Sequence, residues 1–315
     1  MNPLGVAGGV LQAVVIVGGA PLVVGLMRQI RARLEGRAGA GVAQPWRDLR
    51  KQLRKQPASP RGTSEIYRSA PVLLVATTLV VAVVAPFVTT ASALPAVADL
   101  FVVVALLALG TVMIALAGID TGTAFGGMGA SREVTILALV EPTVLVAIFA
   151  LSVRAGSTNL SAIVGSVLDD PARLVSPASL LAAVALVVVI VAETGRLPVD
   201  NPATHLELTM VHEAMVLEYA GPDLALVELG SAMRLSVYLG LLANLFVPWG
   251  VATGPGVAAL AVGVAAFAVK VTLLAAALAL AEVFLAKLRL FRVPELLAGS
   301  FLLALLSVTT AYVLV

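Results

Sequence analysis

Acidic side chains crowd into one short stretch of this 315-residue chain. Residues 193–223 hold six of its 18 acidic residues and both of its histidines, between long apolar segments. The six are Glu193, Asp200, Glu207, Glu213, Glu218 and Asp223. Carboxylates that share a low-dielectric setting have raised and staggered pKa values, as proton transfer between neighbours requires. The stretch is therefore a candidate proton relay; the alternative is a solvated acidic helix, which its many apolar residues disfavour.

The two histidines do not predict a metal site. His205 and His212 are seven residues apart, so on one helix they would lie about 10 Å apart. That separation is too large for direct ligation of one ion, and the HExxH pattern of zinc hydrolases is absent. We expect no metal in this chain and assign both histidines to a partner-docking surface.

Four further ionisable residues interrupt apolar segments, where a charge is costly and marks a functional site by default. Glu141 lies about 12 Å deeper than Glu133 along one helix, and we expect it to be a proton site. Glu133 has an alternative role beside Arg132 as a helix N-terminal carboxylate.

Lys270 stands in the middle of an apolar run and needs an internal partner. Glu282 lies twelve residues further on, near the end of the same run. It is a second candidate for the ion pathway, with structural pairing to Lys287 or Arg289 as the alternative.

Composition sets the class of protein that must position these groups. The chain is 60% hydrophobic and 12% charged, with a mean hydropathy of +1.05. These values indicate an integral membrane protein. The absence of cysteine excludes iron–sulfur ligation, thiolate catalysis and disulfides within this chain. If the protein belongs to a redox machine, the electrons run through other subunits.

The hydropathy pattern predicts an all-α, polytopic membrane protein that forms one domain over residues 1–315. Crossing the hydrocarbon core takes about 20 apolar residues, and eight segments qualify. The predicted spans are residues 3–27, 71–92, 95–119, 134–153, 177–193, 232–249, 257–284 and 294–315.

Basic residues predict the orientation. Seventeen of the 20 fall in loops on one side of the predicted membrane, 11 of them in the first loop, and two fall on the other side. By the positive-inside rule, both termini lie on the outer, periplasmic or extracytoplasmic, side. The first and fifth loops, both large and polar, are then cytoplasmic, and the fifth contains the acidic stretch.

The first loop contains an amphipathic helix. Trp46, Leu49 and Leu53 recur at helical spacing, and basic residues fill the other positions. This pattern is typical of a helix that lies in the membrane interface. It is either a surface anchor or a docking face for a soluble partner, in which Trp46, Arg47, Arg50, Lys51 and Arg54 would take part.

The acidic stretch is predicted to begin a helix after the segment GRLP. Asp200 can cap the helix, with Pro202 in its first turn, and Gly221 and Pro222 end it after Tyr219. Arg196 is close enough in sequence to pair with Glu193 or Asp200.

These segments resemble the membrane-anchor subunit of formate hydrogenlyase and related energy-converting [NiFe] hydrogenases, a family homologous to the quinone-chamber (subunit 1 type) membrane subunit of respiratory complex I. The resemblance covers most of the chain. It rests on ETGRLPVDNPATHLELTMVHEAMVLEYAG, RQIRARLEGRAGAGVAQPWRDLRKQLRK, GMGASREVTILALVEPTVLVAIF and EVFLAKLRLFRVPELL. The helix after the proline matches the hydrogenase branch rather than the shorter, more acidic version of the quinone-reducing branch.

The resemblance implies a non-catalytic subunit of a cell-membrane oxidoreductase complex, which joins the soluble redox arm to proton-pumping subunits. Its partners would be the large and small [NiFe]-hydrogenase subunits, an iron–sulfur subunit and antiporter-like membrane subunits. The [NiFe] centre and iron–sulfur clusters would lie in those partners, this chain would hold no cofactor, and quinone is not expected. Besides lipid, no nucleic acid or other partner class is implied.

The resemblance also implies an acidic funnel into the membrane, with Arg196 as an internal counter-charge, and Arg132 beside Glu133 is a second candidate counter-charge. Together with the two candidates from the apolar runs, the predicted pathway comprises Glu133, Glu141, Glu193, Asp200, Glu207, Glu213, Glu218, Lys270 and Glu282. The alternatives are a quinone-site subunit of a complex I-type NADH dehydrogenase, an independent secondary ion transporter, and an anchor with no ion path.

Overall fold

The computed structural model describes residues 3–92, 94–200, 210–254 and 256–313. Within these ranges the chain is helical and forms no strands. The helices are α1 (Pro3–Leu34), α2 (Gln44–Leu53), α3 (Glu65–Val84), α4 (Leu100–Asp120), α5 (Ala124–Ala155), α6 (Leu160–Asp169), α7 (Pro177–Glu193), α8 (His212–Val216), α9 (Gly221–Phe246), α10 (Val257–Phe284) and α11 (Val293–Val313). Short 3₁₀ turns cover Pro171–Val175 and Leu290–Arg292.

Local sequence sets where several helices begin. The side chains of Ser64, Asp99, Thr123, Asn159 and Ser176 each accept a hydrogen bond from a backbone N–H in the first turn of the helix that follows. Such caps satisfy amides that have no partner inside the helix.

Seven of the described helices are long and apolar enough to cross a membrane: α1, α3, α4, α5, α9, α10 and α11. The chain is thus a multi-pass membrane protein. The predicted fifth span corresponds to α7, an apolar helix of 17 residues that is shorter than the other seven.

Two helices begin about three turns before the predicted spans to which they correspond. Helix α5 begins at Ala124 instead of residue 134, and α9 begins at Gly221 instead of residue 232. A charged residue inside each helix precedes the predicted start: the buried Glu133 in α5, and Glu228 in α9. A hydropathy window stops at such a charge, whereas the helix continues through it.

The loops that contain α2 and α8 lie at one end of the helix bundle, which we term the α2 end. Helix α2 packs on α1 and α9, and α8 packs on α4 and α5. Gly129 of α5 permits the second contact, because a Cβ there would lie 2.9 Å from both Ala214 Cβ and Val211 O. The adjacent Tyr219 ring stacks on Tyr67 with centroids 4.3 Å apart.

At the opposite end, the helix of the predicted second span is shorter than the span itself. Helix α3 stops at Val84, and residues 85–92 continue without helix although residues 85–89 are buried. Side-chain amides satisfy this irregular backbone: Gln12 Nε2 donates to Val83 O and Ala85 O, at 2.7 and 2.9 Å. Such bonds are needed wherever non-helical backbone lies at membrane depth.

Candidate functional site

A cavity of about 780 Å³ opens at the α2 end, between α1, α2, α9 and the end of α7. Its lining is rich in ionisable side chains. They include Arg28, Arg31, Asp48, Glu133, Glu193, Arg196, Asp200, His212, Glu213, Glu228, Arg234 and Glu282. The fold therefore brings together five of the nine residues predicted for the ion pathway: Glu133, Glu193, Asp200, Glu213 and Glu282.

Glu193 and Arg234 form a buried ion pair at the base of this cavity. Their side chains are 1% and 9% exposed, and Thr111 Oγ1 also donates to Glu193 Oε1 at 2.8 Å. The predicted pairing of Arg196 with Glu193 or Asp200 was wrong. Arg234 takes the place at Glu193 because α9 packs against α7 and brings the guanidinium to the end of α7.

Arg196 instead belongs to a second cluster, with Glu282 at its centre. Arg196 Nη1 lies 3.4 Å from Glu282 Oε1, and Arg31 Nη1 lies 3.7 Å from Glu282 Oε2. The alternative pairing of Glu282 with Lys287 or Arg289 was wrong. Because the carboxylate is 1% exposed, its two guanidinium partners compensate a buried charge.

Asp200 holds the beginning and end of the loop between α7 and α8. Its carboxylate accepts from Lys287 Nζ at 2.7 Å and from Val211 N at 3.3 Å. Arg132 Nη1 donates to Met210 O at 2.7 Å, so this predicted counter-charge also supports loop backbone. These contacts fix both sides of residues 201–209.

Two predicted residues, His205 and Glu207, lie outside the described residues. From residue 210 onward, where the structure describes this stretch, the helix predicted to run to Tyr219 is shorter than expected. Met210 and Val211 are not helical, and helix is present only over His212–Val216. Asp200 Oδ2 and Arg132 bind this irregular backbone directly, which replaces helical hydrogen bonds.

His212 faces the cavity rather than an outer surface. Its Nε2 lies 3.4 Å from Ser231 Oγ, and burial lowers the pKa of the imidazole against the opposing effect of Glu213. Glu213 lines the cavity too, whereas Glu218 is exposed and lies outside it. The neutral imidazole can accept or donate a proton between these groups.

Glu133 and Glu141 extend the acidic groups into α5. Glu133 lies ten residues into the helix and is 6% exposed, so its alternative role at a helix N-terminus was wrong. Glu141 is two turns further, about 12 Å deeper, and does not line the cavity. Its Oε1 is buried and has no hydrogen-bond partner among the described residues.

The first-loop helix is present as predicted. Leu49 is buried and Trp46 Nε1 donates to Gly18 O of α1 at 3.1 Å, while Leu53 is exposed. All four basic residues of the predicted docking set are exposed: Arg47, Arg50, Lys51 and Arg54. Lys51 also lines the cavity.

Lys270 is not part of the cavity. Its Nζ donates to Asn244 Oδ1 at 2.9 Å, so the expected internal partner is an amide. Sequence reasoning also missed Glu228, which lines the cavity from α9, and the role of Arg234. The only available signal was their position inside an otherwise apolar helical run.

Comparison with known proteins identifies the family. Residues 8–313 match the family model described as NADH dehydrogenase. The chain belongs to the NADH dehydrogenase family. It is 35% identical over 240 residues to formate hydrogenlyase subunit 4 of Escherichia coli (strain K12), which covers 76% of this chain and 77% of that protein.

Two further relatives are named as parts of a hydrogenase and of an NADH-quinone oxidoreductase. Hydrogenase-4 component C of Escherichia coli (strain K12) is 35% identical over 252 residues, 79% of this chain and 78% of the relative. NADH-quinone oxidoreductase subunit 8 of Rhodothermus marinus is 30% identical over 217 residues, 66% of this chain and 61% of the relative. The predicted resemblance is therefore confirmed.

A solved structure shares the fold of this family member. A chain of the membrane-bound sulfane sulfur reductase, an archaeal respiratory membrane complex, superposes with a TM-score of 0.79 at 22% identity. The match covers 96% of this chain and 99% of that one. Relatives and structural neighbour alike are parts of larger complexes, in which this chain's family acts as one subunit.

Proposed function

We propose that this chain is the membrane-anchor subunit of a complex I-like oxidoreductase linked to a [NiFe] hydrogenase. It holds the soluble redox module at the membrane and couples electron transfer to proton or ion movement. The observation that carries this proposal is the cavity at the α2 end, where buried carboxylates meet a water-accessible opening. Two relatives, formate hydrogenlyase subunit 4 and hydrogenase-4 component C, support the hydrogenase branch.

The proposed topology has eight spans with both termini outside. Helix α7, at about 25 Å for 17 residues, is long enough to be the eighth. Because Arg234 lies within α9, 16 instead of 17 basic residues flank the α2 end, against two at the opposite end. That bias still favours a cytoplasmic α2 end in the plasma membrane.

The proposed path starts at the cavity and continues along α5. Glu213, His212, Glu193 and Glu133 would exchange protons with the cavity, and Glu141 would receive them deeper in the membrane. Asp200, Glu282 and Arg196 set the field at the entrance, and Glu207 and Glu218 belong to the same loop. A redox event in a docked module would change the protonation preference of these groups.

The proposed partners are the hydrogenase large and small subunits, an iron–sulfur subunit and antiporter-like membrane subunits. The [NiFe] and iron–sulfur centres would belong to them. The exposed basic face of α2 and the loop around α8 would dock the soluble module. The loop lies beside α2 and, with it, borders the cavity.

An affinity purification of the tagged chain from native membranes tests the anchor role. We expect soluble hydrogenase and iron–sulfur subunits to co-purify. A chain that is stable and transports ions alone would instead be a secondary transporter. Exchanging Arg50 and Arg54 for glutamate should release the soluble module, whereas Arg61→Glu, beyond α2, serves as the matched control.

A quinone-site subunit is the second candidate, because the cavity is large and the chain resembles NADH-quinone oxidoreductase subunit 8. Turnover of the purified complex that stops with quinone-site inhibitors would favour this candidate. Turnover that resists them would favour the hydrogenase branch.

A further inference from the structure

Lys270 lies too deep in the membrane to reach lipid headgroups. It is 13 residues after the first residue of α10 and 14 before the last, about 20 Å from either end. The hydrocarbon core is about 30 Å thick, and a lysine side chain reaches about one helical turn, roughly 5 Å. An ammonium near the middle of the core therefore falls short of an anionic headgroup on either side.

The contacts of Lys270 leave its charge without an acidic partner among the described residues. Its Nζ donates to Asn244 Oδ1, and no carboxylate of the described residues lies within 4 Å of it. Asn244 is fixed in turn, because its Nδ2 donates to Pro86 O and Phe87 O, both at 2.8 Å. One of three N–H donors of the ammonium is thus used within the described part of the chain.

The surface beside Lys270 is an uncovered apolar face. Val262, Val269 and Leu273 are 58%, 57% and 64% exposed, and the side chain of Lys270 is partly exposed at their edge. Helix α10 has far less of its surface buried than α9. Lipid tails can cover the three apolar side chains, but they provide neither a hydrogen-bond acceptor nor a counter-charge for an ammonium.

We propose that this surface, the Lys270 face (Val262, Val269, Lys270 and Leu273), binds a membrane-spanning helix of another subunit that carries an Asp or Glu at the depth of Lys270. The carboxylate would take the two remaining donors of the ammonium and neutralise it where water is excluded. Apolar side chains around that acid would cover the three exposed ones. The inference rests on the proposed assembly into a multi-subunit membrane complex.

Site-specific photocrosslinking of the intact complex tests this contact. The chain contains no cysteine, so Leu273→Cys introduces its only thiol, which is labelled with a benzophenone maleimide in native membranes. We expect an adduct with a second membrane polypeptide, on a peptide that contains an in-span Asp or Glu. Adducts with lipid alone, or with a second copy of this chain, would overturn the inference.

Charge exchange makes the test specific for Lys270. In the Leu273→Cys background, Lys270→Met should lower the adduct yield by about tenfold, whereas Lys270→Arg should retain it. Lys270→Asp should regain the yield when the partner's acid is changed to lysine. Equal yields for Lys270→Met and Lys270→Arg would contradict the proposal.

Co-purification of the soluble subunits is measured in the same samples. If the soluble subunits are absent, the proposed function fails. If they are present while the Lys270 face labels only lipid, the inference fails alone.

Discussion

The two ends of the bundle treat buried polar groups differently. At the α2 end, carboxylates meet guanidinium or ammonium groups, as in the pairs of Glu193 with Arg234 and of Asp200 with Lys287. At the opposite end, the amides of Gln12 and Asn244 hold the irregular backbone after α3. Full charges lie where a cavity admits water, and neutral donors lie where it does not.

This difference separates two roles. Neutral amides hold a shape and do not titrate, so the irregular segment is structural. The paired carboxylates are charged partners, so the loss of either partner alters the field at its neighbours. Lys270 is the exception, because its full charge is held by the amide of Asn244, and it is the residue for which we infer an external partner.

The largest expected effect is at the buried pair of Glu193 and Arg234. Arg234→Met leaves Glu193 buried without a counter-charge and should destabilise the protein by about 3–5 kcal/mol. Thermal denaturation of the purified complex in detergent measures the loss. The matched control is Arg68→Met, whose exposed pair with Glu65 is worth about 0–1 kcal/mol. Equal effects of the two variants would show that burial does not govern these pairs.

The second-largest loss of stability is expected for Asn244→Ala. Asn244→Ala leaves two buried carbonyls, of Pro86 and Phe87, without their donor and removes the acceptor of Lys270. We expect a loss of about 2 kcal/mol or more, because each of the two unsatisfied carbonyls costs about 1–3 kcal/mol. Thr309→Val removes an exposed hydroxyl that bonds within its own helix, and should change stability by less than about 0.5 kcal/mol. If Asn244→Ala barely changed stability, water or lipid headgroups would be bonding the two carbonyls instead.

His212 provides a pH-dependent test of the α2 end. Burial lowers its pKa below the value of about 6.5 of a solvated histidine. The unfolded state then takes up its proton first, so stability is complete above about pH 6.5 and falls as the pH decreases towards the folded pKa. Melting temperatures between about pH 8 and pH 5.5 should therefore fall less in His212→Gln than in the wild type. If the melting temperatures of the two proteins fell equally with pH, a group other than His212 would be taking up the proton.

The smallest expected effect is at Asp200. The ammonium of Lys287 is partly solvated, so Asp200→Asn should cost about 1 kcal/mol or less and retain the bond from Val211 N. Asp200→Ala also removes that acceptor and should cost more. Urea denaturation of the two variants separates charge from hydrogen bonding. An asparagine variant as destabilised as the alanine variant would show that the charge itself stabilises the loop.

Most of the fold could be predicted from the sequence, because hydropathy and caps act locally. The side chains of Ser176 and Asp99 begin α7 and α4, and both signals are readable in the chain. The early starts of α5 and α9 could not be predicted, since Glu133 and Glu228 interrupt the apolar patterns of these helices. Contact with other helices buries Glu133, and Glu228 lies at the cavity.

The acidic stretch was identified as the candidate functional region, but its pairings were not. Arg196 is three residues from Glu193, yet it pairs with Glu282, 86 residues away. Pairing follows from helix packing, which sequence distance does not report. No sequence motif surrounds Glu228, and it was recognised as part of the site because it lines the cavity.

The proposed function depends most directly on proton transfer from the cavity to Glu141. The direct test is proton uptake per electron transferred by the intact complex in sealed vesicles, for the wild type and for Glu141→Gln. Because Glu141 has no hydrogen-bond partner for its buried Oε1 among the described residues, the exchange should preserve assembly. We expect all subunits to co-purify while proton uptake is abolished; normal uptake in Glu141→Gln and in Glu207→Gln would contradict the account.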